Sequence, residues 1–233
     1  MSSLRLNNIK YQITNFNNDF LVLKSKLPID PMNPAIGEAI LKHAFDFVEE
    51  VIATQAEILI KLNASFLQEH LSLLEQVKIE QPSVHKTYEL PVCFTDDYEW
   101  DDVVKMSKMT KQAFIDTIVA SELSVAMFGF IPGFIYVNGL PAQLHCPRKS
   151  TPTNNKYARA LALGGPYLGI YNYPSPAGWY ILGQVGVHLM DKESVPPTQL
   201  NPLDKLKIKV LNKTDFEQLE KRHLSLLEYN EQT

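Results

Sequence analysis

The sequence predicts an α+β protein in two parts: a small N-terminal α+β domain over residues 1–84, then a β-rich barrel or sandwich over 85–213 followed by a C-terminal helix over 214–233. Three observations predict it. The chain has 233 residues, more than one typical domain of roughly 100–150. Its first half mixes helical spacing with short apolar runs. From Gly129 to Gly183, glycine and proline recur every few residues with aromatics between them, the punctuation of short strands and tight turns.

The elements follow in order. Residues 11–15 and 20–23 read as strands around the polar turn Asn17-Asn18-Asp19. Asn33 suits a helix N-cap and Pro34 the first helical position. Ile36, Ile40, Ala44, Phe47 and Val51 recur at helical spacing, so one helix is predicted through Val51. Ile58–Leu62 is a compact apolar strand. Ser65-Phe66-Leu67-Gln68 has capping-box form, and Leu67, Leu71 and Leu74 stripe the helix behind it. Gln81-Pro82-Ser83 marks the domain boundary, and 87–94 is the next strand.

Asp96, Asp97, Glu99, Asp101 and Asp102 read as a solvated loop entering a helix, where carboxylates offset the helix dipole. They lack the Gly-centred spacing of a calcium loop. Thr110 caps a short helix carrying Phe114, Ile115 and Ile118. Leu123, Val125 and Met127 alternate as a strand. Leu206, Ile208 and Val210 alternate with lysines, as in a closing strand with one wet face. Residues 214–229 read as one helix, capped by Thr214 and Glu217, with Phe216, Leu219, His223, Leu226 and Leu227 on one face.

Composition narrows the function. The chain is 45% hydrophobic and 21% charged, with net charge −4, and no basic stripe favours a nucleic acid. No apolar run approaches the roughly 20 residues that span a bilayer, and no secretory apolar region is present. A cytoplasmic protein without membrane or nucleic-acid partners is expected. Cys93 and Cys146 have no metal-ligand spacing, so neither a metal site nor a disulfide is expected. GxSxG, P-loop, GxGxxG and HExxH patterns are absent.

Three segments remain: Gly129-Phe130-Ile131-Pro132-Gly133-Phe134-Ile135-Tyr136, Cys146-Pro147-Arg148-Lys149-Ser150-Thr151-Pro152, and Gly169-Ile170-Tyr171 with Ser175-Pro176-Ala177-Gly178-Trp179 behind it. Aromatics held between stiff turns line a pocket at little ordering entropy. Equally, Phe130, Tyr136, Tyr171 and Trp179 suit a barrel core. Arg148 suits a clamp on a carboxylate or phosphate. Gly164-Gly165 offers backbone N–H groups to an anion or makes a tight turn.

GFIPGFIYVNGLPAQLHCPRKSTP followed by GIYNYPSPAGWYILGQ resembles the KipI family, the B subunit of the bacterial ATP-dependent 5-oxoprolinase, also called allophanate hydrolase subunit 1 and similar to half of a carboxyltransferase domain. The resemblance is strongest over about 90–210. It implies a cyclophilin-like barrel, a C-like (KipA-type) carboxyltransferase partner, a third hydrolase subunit, and ATP used by the complex to open 5-oxoproline to glutamate. Some members of the family are described as inhibitors of a sensor histidine kinase, so a regulatory binding protein or a non-catalytic scaffold is the alternative. Carried over residue by residue, the resemblance covers Phe130, Tyr136, Arg148, Tyr171, Ser175 and Trp179, with Gly129, Pro132, Gly133, Pro147, Thr151, Pro152, Gly169, Ile170, Pro176, Gly178 and Gly183. Together with Gly164 and Gly165, the first six are the expected substrate-binding residues; no catalytic residue is assigned. Four positions depart from the family. Thr153 and Gln184 replace arginines, Ile118 replaces a histidine, and Arg159 lies where a VPAGS-like turn is usual.

Overall fold

The computed structural model of the chain describes residues 3–27, 32–63, 65–79, 85–95 and 97–232. The Gln81-Pro82-Ser83 boundary and Asp96 lie outside the described residues. The chain divides into two compact units, Met1–Val84 and His85–Thr233.

The first unit is a five-stranded antiparallel sheet with two helices. Strands β1 (Ser3–Leu6), β2 (Ile9–Phe16) and β3 (Phe20–Ser25) form a meander, α1 (Asn33–His43) follows, and then come β4 (Val48–Ala53), β5 (Ile58–Leu62) and α2 (Gln68–Leu74). The strand order is β1-β2-β3-β5-β4. Asn7, Asn8, Asn17 and Asn18 have positive φ; asparagine tolerates the left-handed region that tight hairpins require. Leu4, Leu6, Leu21, Leu23, Ile58 and Ile60 bury one face of the sheet, the period-2 pattern of a half-covered sheet.

Three local expectations are corrected here. Asn33 is not a cap. Met32 holds that position, while the buried Asn33 side chain accepts from the Tyr11 hydroxyl at 2.7 Å and donates to the Gln55 carbonyl at 3.1 Å. The helix does not reach Val51. It ends at His43, Ala44 turns left-handed, and Val48–Ala53 is a strand. The β-branched Val48, Val51 and Ile52 favour extended chain, and β4 gains its ladder from β5; the helical spacing of Phe47 and Val51 is coincidental. Ser65 is not the second cap either. Leu67 occupies that position, with its N–H held by His70 Nδ1 at 3.2 Å.

The second unit is a closed barrel. Its elements are β6 (Thr87–Cys93), α3 (Trp100–Ser107), α4 (Lys111–Val119), β7 (Leu123–Phe128), β8 (Ile135–Asn138), β9 (Thr153–Asn155), β10 (Ala160–Gly164), β11 (Tyr167–Tyr171), β12 (Ser175–Ala177), β13 (Tyr180–Val185), β14 (Lys205–Leu211), α5 (Lys213–Glu220) and α6 (Leu226–Gln232). The barrel order is β10-β11-β8-β7-β14-β6-β13, and β9 pairs with β12 beside it. The predicted α+β chain with a barrel is therefore what forms. Thr110 caps α4 as predicted, its hydroxyl accepting from the Ala113 N–H at 3.2 Å. On β14, Leu206 and Ile208 are buried while Val210 is 48% exposed, so the inward alternation stops one residue pair early.

The tail is two helices, not one. Asn212, rather than Thr214, caps α5 by accepting from the Asp215 N–H at 2.8 Å. The chain breaks at His223, which has φ 51°. Ser225 and Glu228 form a second cap, with the Ser225 N–H donating to Glu228 at 2.8 Å. Both tail helices lie on the barrel: Asn230 exchanges two hydrogen bonds with the Glu89 backbone, at 2.7 and 3.1 Å. Cys93 and Cys146 are free and buried, and burial pushes both thiols up, away from the reactive thiolate.

Candidate functional site

The segment 129–134 is a tight connection between β7 and β8. Ile131 N–H donates to the Gly129 carbonyl at 2.9 Å and Phe134 N–H to the Ile131 carbonyl at 3.0 Å. This winding sends its two phenylalanines in opposite directions. Phe134 is 1% exposed, whereas Phe130 is 66% exposed and has φ 66°, a conformation that a bulky residue adopts rarely.

Phe134 becomes the hub of an aromatic cluster. Its ring centroid lies 4.7 Å from Tyr136, 4.7 Å from Tyr171 and 5.6 Å from Trp179. All three pairs are edge-on, the arrangement favoured by the ring quadrupole. Phe130 joins at the rim, 5.6 Å from Phe134 and 6.3 Å from Tyr171. The buried indole of Trp179 lies across β10 and β11. A Cβ on Gly164 would fall 2.3 Å from Trp179, and one on Gly169 would fall 2.5 Å from Phe134 and 2.7 Å from Trp179. Any side chain at either position would displace the indole, so these glycines seat it.

Arg148 lies over the same indole, its guanidinium carbon 5.5 Å from the ring centroid, in cation–π range. It is exposed, and among the described residues no hydrogen bond or ion pair engages it. Its neighbour Lys149 is the opposite case. The Lys149 ammonium donates to Glu99 Oε2 and to Thr153 Oγ1, each at 2.6 Å, and the lysine side chain is only 9% exposed. Glu99 Oε2 also accepts from the Ile181 N–H at 2.7 Å, and Lys149 N–H donates to the Gly178 carbonyl at 2.8 Å. Lys149 therefore pins the Cys146–Pro152 loop to β13 and leaves Arg148 presented on Trp179.

Phe130, Tyr136, Tyr171, Trp179, Gly164 and Arg148 thus gather around Phe134. Gly165 is adjacent, with φ 61°, but its N–H is engaged by the Cys146 carbonyl at 2.7 Å. The Gly164-Gly165 turn consequently presents no free Gly165 donor to an anion. Ser175 sits on the short β9–β12 ladder opposite Asn155. Its hydroxyl is buried without a partner among the described residues, and no ring or hydrogen-bond contact among them joins it to the cluster.

The departures from the family pattern are absorbed structurally. Ile118 is in the core. Gln184 donates to the Ala158 carbonyl at 3.0 Å and accepts from the Tyr98 hydroxyl at 3.3 Å. Arg159 donates through Nε to the Val185 carbonyl at 3.0 Å and pairs with Glu220. Gln184 registers with Ala160 and reaches Tyr98 and Ala158, whereas the guanidinium of Arg159, on left-handed backbone just before β10, is taken up by Val185 and Glu220. Arg159 therefore does not stand in for the arginine that the resemblance implies at Gln184. The Glu99–Lys149 partnership was invisible in the sequence, where the acidic run reads as solvated loop.

Burial pushes the Tyr171 phenol up to about 12, assisted by Tyr136 and opposed by Arg148. An unfolded phenol ionises near pH ~10. The stability supplied by the neutral phenol is therefore complete below pH ~10 and is lost as pH rises through about 12. The urea midpoint is expected to fall across that window, and Tyr171→Phe is expected to flatten the fall. An unaltered alkaline profile in Tyr171→Phe would refute the assignment.

Residues 12–200 match the family described as carboxyltransferase domain, subdomain C and D. The 5-oxoprolinase B subunit of Haemophilus influenzae is 36% identical over 121 residues, covering 51% of this chain and 57% of its own length. The 5-oxoprolinase B subunit of Bacillus subtilis is 29% identical over 130 residues, covering 55% of this chain and 54% of its own. The matched stretches thus span little more than half of each relative. The crystal structure of the Kluyveromyces lactis urea carboxylase superposes on 96% of this chain and 24% of its own, with TM-score 0.66 and 17% identity, a likeness of fold.

Proposed function

The chain belongs to the carboxyltransferase subdomain C and D family, and from that premise we propose that it is a B-type component of a 5-oxoprolinase-type assembly, acting on a cyclic amide with a C-like carboxyltransferase subunit and a third hydrolase subunit. The observation that carries this reading is Arg148 held unengaged over Trp179, at the rim of a cluster built from the GFIPGF, GIY and SPAGW segments. The 5-oxoprolinase relatives support the choice of assembly.

In this reading Arg148 takes the carboxylate of 5-oxoproline, a bidentate match for a guanidinium. Tyr136, Trp179 and the exposed Phe130 supply apolar walls for the small ring. Hydrolysis is driven by ATP in the assembly, but the residues of this face do not fit a triphosphate. Lys149 is neutralised by Glu99, and the Gly165 N–H is engaged by Cys146. Several free donors are needed to cradle a triphosphate, so ATP is assigned to another subunit.

The test is co-expression with a C-like and a third subunit, followed by assay of ATP-dependent glutamate release from 5-oxoproline. Arg148→Ala is expected to lower kcat/KM by about 10- to 100-fold, the value of a charge-assisted contact of roughly 1.5–3 kcal/mol. Unchanged turnover in Arg148→Ala would remove the residue from the site. Absence of turnover in every subunit mixture, with recovery of a histidine kinase in pull-down, would replace this reading by the regulatory one.

A further inference from the structure

A second cluster of charged side chains lies just before β10, where Arg159 ties α5 to the barrel through Glu220. It lines a cleft of about 400 Å³ with Arg159, Gly186, His188, Glu217, Glu220, Lys221 and His223. That volume is in the range of small-molecule sites.

The guanidinium of Arg159 is fixed on two sides, by the Val185 carbonyl at Nε and by Glu220 at Nη2. Its side chain is 14% exposed. This leaves the Nη1 edge oriented and, among the described residues, without a hydrogen-bond partner. The same holds for the imidazoles of His188 and His223, the Lys221 ammonium and the Glu217 carboxylate. The two imidazoles stack, with centroids 6.0 Å apart and an interplanar angle of 28°. Arg159 and His223 both hold left-handed backbone, with φ 54° and 51°, a strain that concentrates at functional sites. The turn carrying His223 is itself held down, because His188 N–H donates to the Leu224 carbonyl and Leu226 N–H to the His188 carbonyl, each at 2.9 Å.

The charges decide the ligand class. Arg159 and Lys221 balance Glu217 and Glu220, and the imidazoles add further hydrogen-bonding groups. A purely anionic ligand meets two carboxylates, and a purely cationic one meets an arginine and a lysine. A molecule carrying both charges is complementary to both sets. The geometry points to a binding site for a small zwitterion of the α-amino-acid class, its carboxylate on the free edge of Arg159 and the imidazoles, its ammonium on Glu217. Burial, then Arg159 and His223, holds His188 below the usual imidazole range, with Glu220 opposing. Asp191 and Glu228, engaged by Ser194 and Ser225, line an adjoining cavity with His188. A bound carboxylate therefore raises the pKa of His188.

The test uses the full chain and three ligands of one carbon skeleton: L-norvaline, pentanoate and pentylamine. Binding is read from the imidazole proton resonances, assigned with His188→Gln and His223→Gln. L-norvaline is expected to shift both resonances saturably and to raise the His188 midpoint, at least tenfold more tightly than either single-charge analogue. Glu217→Gln is expected to abolish the preference for L-norvaline over pentanoate. Glu217 has no partner among the described residues, so this variant is expected to fold normally. Arg159→Met, which also cuts the tie to α5, is expected to lose both L-norvaline and pentanoate but not to weaken pentylamine; its melting temperature is recorded alongside, and Glu217→Gln carries the test if the arginine variant unfolds. Absence of any saturable shift, or pentanoate binding as tightly as L-norvaline, would overturn the assignment.

Discussion

Trp179→Ala is expected to lower the unfolding free energy of the barrel unit by about 3–5 kcal/mol, the usual loss for a large buried aromatic. The upper half of that range is expected for a structural reason. Trp179 is 5% exposed and lies against Gly164 and Gly169, which have no side chains to move into the space it leaves. Phe134 and Tyr136 each lose an edge-on partner at 5.6 Å, and such pairs contribute about 0.5–1.5 kcal/mol beyond burial. Arg148 loses its platform as well, so the variant is expected to lose the activity proposed to depend on Arg148 even where it remains folded. Urea unfolding followed by circular dichroism and by the fluorescence of the remaining Trp100 measures the stability. A loss below about 1 kcal/mol would mean that the cavity collapses and that the indole is not the seat described.

Lys149→Met is expected to destabilise the same unit by about 2–3 kcal/mol. Breaking a buried ion pair typically costs about 3–5 kcal/mol. The lower figure follows from Glu99, whose side chain is 34% exposed and partly screened, although that of Lys149 is 9% exposed. The cost arises from stranding a carboxylate among its neighbours, not from the net strength of the pair. The double variant Glu99→Gln/Lys149→Met is therefore expected to recover most of the loss, to within about 1 kcal/mol of the parent. Glu99→Gln alone keeps an acceptor for the Ile181 N–H but strands the ammonium. Additive losses around the cycle would show that the two residues are not coupled. Loosening the Cys146–Pro152 loop is also expected to lower the turnover proposed to depend on Arg148 in Lys149→Met, mainly through KM, because the guanidinium loses its fixed position.

Elements whose signals are local were legible. Asn17 and Asn18 turn the chain because asparagine tolerates positive φ, and Thr110 caps α4 because a hydroxyl before a helical run has few competitors for the first N–H groups. The helix boundaries failed where two local signals competed. Phe47 and Val51 satisfy helical spacing, yet the β-branched residues around them pair with β5. In the tail, Thr214/Glu217 and Ser225/Glu228 are both capping-box sequences. The second is used because the 188–190 segment anchors the chain there, His188 bridging to Ser225.

The sequence by itself determined the framework of the candidate site. Its glycines, prolines and aromatics act over a few residues, through turn geometry and ring shape, and so name the segments that gather around Phe134. It did not determine which charges remain available. Arg148 and Lys149 are neighbours of similar charge, yet one is exposed on an indole and the other is neutralised by a carboxylate fifty positions earlier in the chain. Gln184 is held on the barrel ladder opposite Ala160, while Arg159, one residue before that strand, is assigned to the α5 cleft only by its bonds to Val185 and Glu220. Pairings of this kind close loops far longer than any local window, so the tertiary structure alone decides them.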